Sequence, residues 1–351
     1  MNVDYIIVGQ GIAGSLLSRN LLLAENSVMV IDEVNNASAS RMAGGIINPV
    51  TGKRLVRSWM IDELLPFALD TYRAIEKELN IAIVQQCDTF DFPLSLEASD
   101  IFKGKLGDEK KYLHTVTDEA VWAKYFRFNY GIGCITPCLL VQMDPFINAW
   151  RLRLKNMGAL TEEKFMWEDF KMEQDHITYK NIRAQKIICC EGSGGADNPW
   201  FSLLPWAKDK GEALIASIPG LPGNFIFKQG ISIVPWHDGL FWIGATHDWK
   251  FADMLPTPSF RKKTEEQLDY WLKIPYKIVD HLVSQRPANM ERKPFVGLHP
   301  VHTSIGILNG LGGKGVSMAP YFANMLAGYL VHQSPILPEA DVRRFTKILS
   351  R

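Results

Sequence analysis

Asp4-Tyr5-Ile6-Ile7-Val8-Gly9-Gln10-Gly11-Ile12-Ala13-Gly14 opens the chain as an apolar strand that runs directly into a glycine-rich loop. The first glycine permits a sharp turn, the second lets a pyrophosphate approach the backbone, and the third lets the following helix pack close to the strand. The N-terminus of that helix offers free N–H groups to phosphates. The stretch therefore predicts a dinucleotide site that includes Gly9, Gly11, Ile12, Ala13 and Gly14.

A second strand strengthens this prediction. Val28-Met29-Val30-Ile31 follows the first helix, which we place at residues 15–24, and Asp32 and Glu33 stand at its end. An acid at about this spacing accepts hydrogen bonds from the ribose of a bound dinucleotide. The alternative is a glycine turn in an ordinary α/β domain, but the order of strand, loop, helix, strand and acid favours the nucleotide.

The composition narrows the classes of partner. The chain has 351 residues, enough for two domains, and its 38 basic and 38 acidic residues cancel, so we expect no nucleic-acid partner. No apolar run is long enough to span a bilayer, and the first apolar run is already used as a strand, which favours a cytoplasmic protein. The cysteines show neither zinc nor disulfide spacing, in agreement with a reducing compartment.

Two more glycine turns occur far along the chain. Residues 192–195 follow an apolar strand, and residues 310–315 precede a helix that we place at 319–331. Between the turns, residues 83–136 and 212–244 show short alternating runs that are typical of antiparallel sheet. One nucleotide-binding domain is therefore assembled from separate pieces, with a second domain inserted twice.

This distribution predicts an α/β fold of two domains. The first is a Rossmann-type nucleotide-binding domain, and the second is a substrate domain with a mixed or antiparallel sheet. We assign residues 1–82, 142–200 and 286–351 to the first domain and residues 83–141 and 201–285 to the second.

Several stretches carry a resemblance to a known family. Residues 38–47 form a loop of small residues, Glu191-Gly192 ends a strand, Gln285-Arg286-Pro287 precedes Lys293-Pro294-Phe295-Val296-Gly297, and the late turn reads Gly310-Leu311-Gly312-Gly313-Lys314-Gly315. Together they resemble the flavin-dependent amine oxidases related to D-amino-acid oxidase, glycine oxidase and sarcosine oxidase. The likeness extends over nearly the whole chain, and its last two motifs are the most specific because ordinary NAD dehydrogenases lack them.

The resemblance implies that FAD is the cofactor and is held without a covalent link. Beyond the first glycine loop, Asp32 and Glu33, it assigns to the FAD site the residues Ser40, Arg41, Gly44, Gly45, Gly192, Gly310, Gly312, Gly313, Lys314, Gly315 and Val316. Glycines of this kind expose backbone N–H groups, and a helix that begins after Gly315 places positive potential where the reduced flavin carries negative charge.

The resemblance also implies an activity. It predicts an FAD-dependent oxidoreductase that oxidises the CH–NH bond of a small amino acid or N-substituted amino acid by hydride transfer to flavin N5, with oxygen or an unknown carrier as electron acceptor. Arg286 matches the family's carboxylate-binding arginine, and a structural salt bridge is the alternative. Lys314 departs from the family loop and either assists oxygen reduction or faces solvent. Thr246 and His247 follow a strand expected to reach the substrate.

Three other functions stay open at this point. The same fold and Arg286 would serve an FAD-dependent dehydrogenase of a 2-hydroxy acid or a polyol phosphate. Some relatives act on modified tRNA bases, although a neutral chain argues against RNA binding. A flavoprotein without enzymatic activity is the third alternative, and the retention of all three glycine turns argues against it.

Overall fold

The computed structural model describes residues 1–351 and contains twenty-one strands and eight α-helices. The strands are β1 (Asn2–Val8), β2 (Val28–Ile31), β3 (Ile46–Ile47), β4 (Val50–Thr51), β5 (Val56–Arg57), β6 (Val84–Gln86), β7 (Thr89–Asp91), β8 (Leu113–Thr115), β9 (Gly133–Ile135), β10 (Leu139–Val141), β11 (Leu160–Thr161), β12 (Phe170–Met172), β13 (Ile177–Tyr179), β14 (Ile182–Cys189), β15 (Trp206–Ser217), β16 (Ile226–Gln229), β17 (Ile231–Pro235), β18 (Phe241–Gly244), β19 (Lys277–Asn289), β20 (Phe295–Leu298) and β21 (Ile305–Asn309). The helices are α1 (Ile12–Leu23), α2 (Ala39–Met42), α3 (Ile61–Leu79), α4 (Leu96–Lys105), α5 (Met143–Asn156), α6 (Pro258–Trp271), α7 (Gly315–His332) and α8 (Thr346–Leu349).

The chain divides into two compact units. Unit 1 comprises Met1–Met42, Met143–Asp209 and Gln285–Arg351, and unit 2 comprises Ala43–Gln142 and Lys210–Ser284. These bounds differ from the predicted domains chiefly at residues 43–82, which we had assigned to the nucleotide-binding domain. They fall in unit 2 because β3 pairs with β10 and α3 packs on β6.

Unit 1 is built on a sheet in which β11, β2, β1, β14 and β21 lie side by side and run parallel. Strand β20 pairs antiparallel with β21, and β12 and β13 form an antiparallel meander with the start of β14. Because parallel strands end at the same edge of a sheet, Val8, Ile31 and Cys189 lie at one edge. This edge carries the loops in which we predicted the nucleotide site.

Helices α1 and α7 pack against each other in unit 1, and both begin earlier than predicted. Helix α1 begins at Ile12 because Gly11, with φ −76° and ψ −165°, already serves as its N-cap. Helix α7 begins at Gly315, inside the late glycine turn, and contains Pro320. The first and the late glycine turns therefore each lead directly into an α-helix, which brings the helix N-terminus to the turn itself.

Unit 2 holds an eight-stranded sheet in the order β19, β15, β18, β17, β16, β7, β9, β8. Strands β17 and β18 form a hairpin and are joined by a tight turn at His237–Gly239. The pairing of β16 with β7 is parallel, so the sheet is mixed. Aromatic side chains contribute much of the core of this unit, including Phe90, Phe92, Trp122, Phe126, Phe227 and Trp271.

The predicted fold class is confirmed, since the structure is a mixed α/β protein with two multi-stranded sheets. A smaller sheet of β3, β10 and β6 also belongs to unit 2. None of the helices combines the length and the apolar character that crossing a bilayer requires.

Candidate active site

The first glycine turn contains two glycines that the fold requires and one that is open. A Cβ atom at Gly9, which has φ +96°, would lie 2.5 Å from the carbonyl oxygen of Cys190, and one at Gly14 would lie 1.9 Å from the carbonyl oxygen of Gly9. A Cβ at Gly11 would meet only the Ser40 hydroxyl, at 3.0 Å. Space beside the Gly11 backbone is therefore available to a ligand.

The start of α1 has the features of a phosphate site. Its N-cap is Gly11, which has no side chain, and its first turn has no acidic residue. The Ser40 hydroxyl accepts a hydrogen bond from Ile12 N at 2.9 Å, and Ala13 and Gly14 follow in the first turn. The positive end of the helix dipole and the backbone N–H groups that follow Ile12 fit the pyrophosphate of FAD.

Asp32 is held in place by two donors. Its Oδ1 accepts from Gln10 N at 2.8 Å, and its Oδ2 accepts from Arg151 Nη1 at 2.6 Å. Arg151 is 8% exposed and also donates to the Asp32 carbonyl oxygen. A carboxylate offers about four lone-pair sites, so these bonds orient Asp32 without using its full accepting capacity. The neighbouring Glu33 is exposed.

Arg151 was missed by sequence reasoning. It stands in α5 between the buried residues Trp150 and Leu154. A charged residue among apolar positions was the available signal. Nothing in the sequence linked it to Asp32.

Arg41 has its own partners in unit 1. Its Nη1 donates to Asn148 Oδ1 at 2.5 Å and also bonds Asp144. Because α2 packs on α5, these residues join the two helices. The structure therefore gives Arg41 a structural role, and its predicted contact with FAD stays a prediction.

The strand-end turn and the late glycine turn are connected by one side chain. Gly192 has φ +59°, and its carbonyl oxygen accepts from Asn309 Nδ2 at 2.9 Å, while Asn309 Oδ1 accepts from Gly310 N at 2.8 Å. Next to Gly192, Glu191 Oε2 accepts from Asn198 Nδ2 at 2.6 Å. Burial raises the pKa of Glu191 to about 7, despite this hydrogen bond.

The late turn also contains two kinds of glycine: one that is packed against its neighbours and two whose backbone has free space beside it. A Cβ at Gly310 would lie 2.8 Å from the Phe295 ring and 2.9 Å from Asn289 Nδ2. A Cβ at Gly312 or Gly313 would meet nothing closer than 3.7 Å. Helix α7 starts at Gly315 without an acidic residue in its first turn, so its positive end is available beside the open glycines, and Val316 is buried behind them.

Arg286 lies against this open part of the turn. Its Cδ is 3.7 Å from the position that a Gly313 Cβ would occupy. Its Nη1 donates to Asp209 Oδ2 at 3.1 Å, and the Asp209 side chain is 3% exposed. Asp209 was not among the predicted site residues. Lys314 follows Gly313 directly, and burial, with Arg292 and Lys293 nearby, lowers the pKa of its ammonium group.

The remaining predicted residues belong to unit 2. A Cβ at Gly44 would lie 3.0 Å from the Trp242 ring, and one at Gly45, with φ +72°, would lie 1.9 Å from the Val141 carbonyl oxygen. The Thr246 hydroxyl accepts from Glu212 N at 3.0 Å. The exposed His247 stacks on Trp249, with ring centroids 6.4 Å apart and 17° between the planes.

A comparison with known families settles the class of this site. The model of the DAO family, described as FAD dependent oxidoreductase, matches residues 4–329. The chain belongs to this family. The resemblance inferred from the glycine turns and the Arg286-Pro287 motif is thereby confirmed, and so are FAD as the cofactor and oxidoreductase as the class of enzyme.

Individual relatives cover almost the whole chain. A glycine oxidase of Pseudomonas aeruginosa is 22% identical over 369 aligned positions, which cover 97% of this chain and 98% of that protein. Among solved structures, glycine oxidase from Geobacillus kaustophilus has a TM-score of 0.80 at 18% identity and covers 95% of this chain and 96% of its own. Iminodiacetate oxidase from Chelativorans sp. BNC1 has a TM-score of 0.76 at 18% identity, with coverages of 96% and 98%. These structures share the fold of this family member.

Proposed function

We propose that this family member oxidises the CH–NH bond of a small amino acid, with glycine as the first candidate, or of an N-substituted amino acid. The observation that carries the proposal is the position of Arg286, beside the open Gly312-Gly313 backbone and fixed by the buried Asp209. The substrate class is further supported by the glycine oxidase and iminodiacetate oxidase among the similar proteins.

In this proposal FAD is held by unit 1. The first glycine turn and the start of α1 bind the pyrophosphate, Asp32 accepts from the ribose, and the open Gly312-Gly313 backbone with the start of α7 faces the flavin. When bound, FAD would supply the oxidant for removal of a hydride from the substrate α-carbon.

Arg286 binds the substrate carboxylate. A guanidinium fork matches the two carboxylate oxygens, and each charged hydrogen bond contributes about 1.5–3 kcal/mol. Asp209 orients the fork, because its side chain is buried and its Oδ2 accepts from Arg286 Nη1. Correct orientation of the carboxylate aligns the α-carbon for transfer, and this positioning is the main contribution of the protein.

Lys314 is proposed to assist the reoxidation of the reduced flavin by oxygen. A cation beside the flavin stabilises negative charge that develops when oxygen is reduced. Lys314→Met should therefore slow reoxidation by oxygen while leaving anaerobic reduction by the substrate unchanged.

The test mixes the FAD-loaded enzyme anaerobically with glycine, N-methylglycine or glycolate, each in a separate experiment. The absorbance of the oxidised flavin is measured, and its loss reports reduction by the added compound. Glycine or N-methylglycine should bleach the flavin. Bleaching by glycolate alone would show that the substrate is a 2-hydroxy acid and not an amine. If none of the three compounds bleaches the flavin, the proposal is refuted.

Arg286→Ala sharpens this test. It should raise KM about 100-fold or more, since it removes two charged hydrogen bonds, and it should leave FAD bound. Arg343→Ala is the matched control, because Arg343 is also paired with an aspartate of unit 1, Asp341, at 2.6 Å. If Arg286→Ala loses FAD, Arg286 is a structural residue and the substrate assignment fails.

A further inference from the structure

The connection between β18 and α6 is an exposed loop with apolar side chains at its surface. It spans residues 245–257 and exposes Trp249, Met254 and Leu255 by 53%, 38% and 66%. Thr246 and His247, which follow the strand expected to reach the substrate, lie at its start. A loop of this length with exposed apolar groups needs a specific anchor to keep one conformation.

Glu212 of β15 anchors both ends of this loop. At the start, Glu212 N donates to Thr246 Oγ1 at 3.0 Å and Thr246 N donates to the Glu212 carbonyl oxygen at 3.3 Å. At the end, the Glu212 carboxylate accepts from Thr257 N and from Thr257 Oγ1, each at 2.8 Å. One residue, 5% exposed, thus holds two segments that are separated along the chain.

Lys210 repeats the arrangement two residues earlier. Its backbone exchanges two hydrogen bonds with Asp248, at 2.9 and 3.0 Å. Its Nζ donates to the Leu255 carbonyl oxygen at 2.6 Å and lies 3.7 Å from Glu212 Oε1. Lys210 is 2% exposed, so this ammonium group is almost fully removed from water.

His281 of β19 completes the group. Its Nε2 lies 2.8 Å from Glu212 Oε2, and its ring packs on Phe260 at the start of α6. Burial of a lysine and a glutamate is unfavourable unless each finds partners of fixed geometry. Here nearly all of the partners belong to the loop or to the elements that flank it, so the charges specify the conformation of the loop more than they stabilise the sheet.

We propose that Lys210 and Glu212 are positioning residues that fix loop 245–257, which carries the predicted substrate residues Thr246 and His247, in a single conformation. The substrate part of this inference rests on the proposed function. The anchoring part rests on unit 2 alone, and the two parts are measured separately.

The anchoring is measured by limited trypsin digestion. Lys250 is the only lysine or arginine in the loop and is exposed, so cleavage after it, identified by the masses of fragments 1–250 and 251–351, reports opening of the loop. The double variant Lys210→Met with Glu212→Gln removes both charges and nearly preserves volume, which avoids a lone buried charge. Cleavage at Lys250 should rise at least about tenfold, because it follows the population of the open form.

The positioning is measured by steady-state kinetics of the FAD-loaded double variant with glycine. A misplaced contact of about 1 Å lowers rates up to about 100-fold, so kcat/KM should fall about 10- to 100-fold, mainly through KM, while FAD stays bound. Lys228→Met is the control, because Lys228 of β16 pairs at 3.1 Å with Asp91 of β7, a partner outside the loop. It should change neither cleavage nor kinetics.

Two results would overturn the inference. Unchanged cleavage at Lys250 in the double variant would show that the charges do not anchor the loop. Increased cleavage with unchanged kcat/KM would show that the anchor is structural only. An inactive wild-type enzyme would instead overturn the proposed function and with it the substrate role of Thr246 and His247, while the cleavage assay still decides whether the loop is anchored.

Discussion

Gly9–Gly14 in unit 1 and Gly44-Gly45 in unit 2 look alike in the sequence and differ in the structure. In the first turn, the backbone at Gly11 faces only a serine hydroxyl, so there is room for a ligand. In the second, a Cβ at Gly44 would press on the Trp242 ring and one at Gly45 would collide with the Val141 carbonyl oxygen. In unit 2, the space beside Gly44 and Gly45 is therefore occupied by other atoms of the protein and not available to a ligand.

The difference separates two reasons for glycine. At Gly45 the positive φ and the carbonyl of β10 already require glycine, whether or not FAD is bound. At Gly11 nothing in the fold requires it, since φ is −76° and the neighbouring atom is the end of a side chain. A glycine that the fold does not need is the better indication of a ligand.

The largest expected effect tests the packed turn. Gly45→Ala should lower the free energy of unfolding by about 3–5 kcal/mol, because it combines backbone strain with a backbone collision. Thermal unfolding of the FAD-free and FAD-loaded protein should show the same loss. Gly107→Ala is the control, because nothing lies within 4 Å of a Cβ there. A loss confined to the loaded protein would make Gly45 a ligand glycine.

Gly11→Val tests the open turn and should do the opposite. The valine side chain fills the approach to the pyrophosphate, so affinity for FAD should fall at least about 100-fold, equal to about 2.7 kcal/mol. The FAD-free protein should lose no more than about 1 kcal/mol of stability, because only the end of the Ser40 side chain has to shift. Fluorescence titration with FAD and thermal unfolding measure the two quantities. Unchanged FAD affinity would contradict the assignment of this turn.

The sequence predicted unit 1 better than unit 2 for a physical reason. The strand, glycine turn, helix and acid of residues 4–32 are local in sequence, and their spacing follows from the geometry of one βαβ unit. The pairing of Asp32 with Arg151 joins residues far apart in the chain, and a sequence without an alignment does not show it. For the same reason Glu191-Gly192 was placed correctly at a strand end, while its link to Gly310 through Asn309 was not foreseen.

The buried charges were the main omission. Strand β15, where polar and apolar residues alternate, contains the charged residues Asp209, Lys210 and Glu212. In such a strand, charged residues are normally assigned to the exposed face. The structure buries all three, because partners on β19 and on loop 245–257 satisfy them. The boundary of unit 2 was misplaced on similar grounds, since the pairing of β3 with β10 is set by contacts across nearly a hundred residues.

Glu191 provides a test of the environment behind the open turn, since its Cα is 3.4 Å from the position of a Gly9 Cβ. Its raised pKa means that the folded protein holds a proton that the unfolded chain releases, so stability falls as pH rises from about 4.5 to about 7 and stays lower above that. Each pKa unit is worth about 1.4 kcal/mol. Glu191→Gln should therefore stabilise the protein by about 3 kcal/mol at pH 8 and by less than about 1 kcal/mol at pH 5.

Denaturant unfolding at the two pH values measures this difference. The substituted glutamine amide keeps an acceptor oxygen for Asn198 Nδ2, so the hydrogen bond is preserved while the charge is removed. The control is Glu163→Gln, because the hydrogen bond from Lys180 lowers the pKa of Glu163, so its removal should not stabilise the protein at pH 8. Equal effects of Glu191→Gln at both pH values would contradict the burial of its charge.

The smallest expected effect decides whether Gly44 belongs with Gly45 or with Gly11. Its added Cβ would lie 3.0–3.2 Å from three atoms of the Trp242 ring, a contact that a small shift of the indole relieves, so Gly44→Ala should cost only about 1 kcal/mol. If Trp242 is the whole reason for glycine, the cost should vanish in a Trp242→Phe background, because the smaller ring gives way. A double-mutant cycle on FAD-free protein measures this coupling. A cost that survives Trp242→Phe, or a fall in FAD affinity without a fall in stability, would instead place Gly44 among the glycines that a ligand requires.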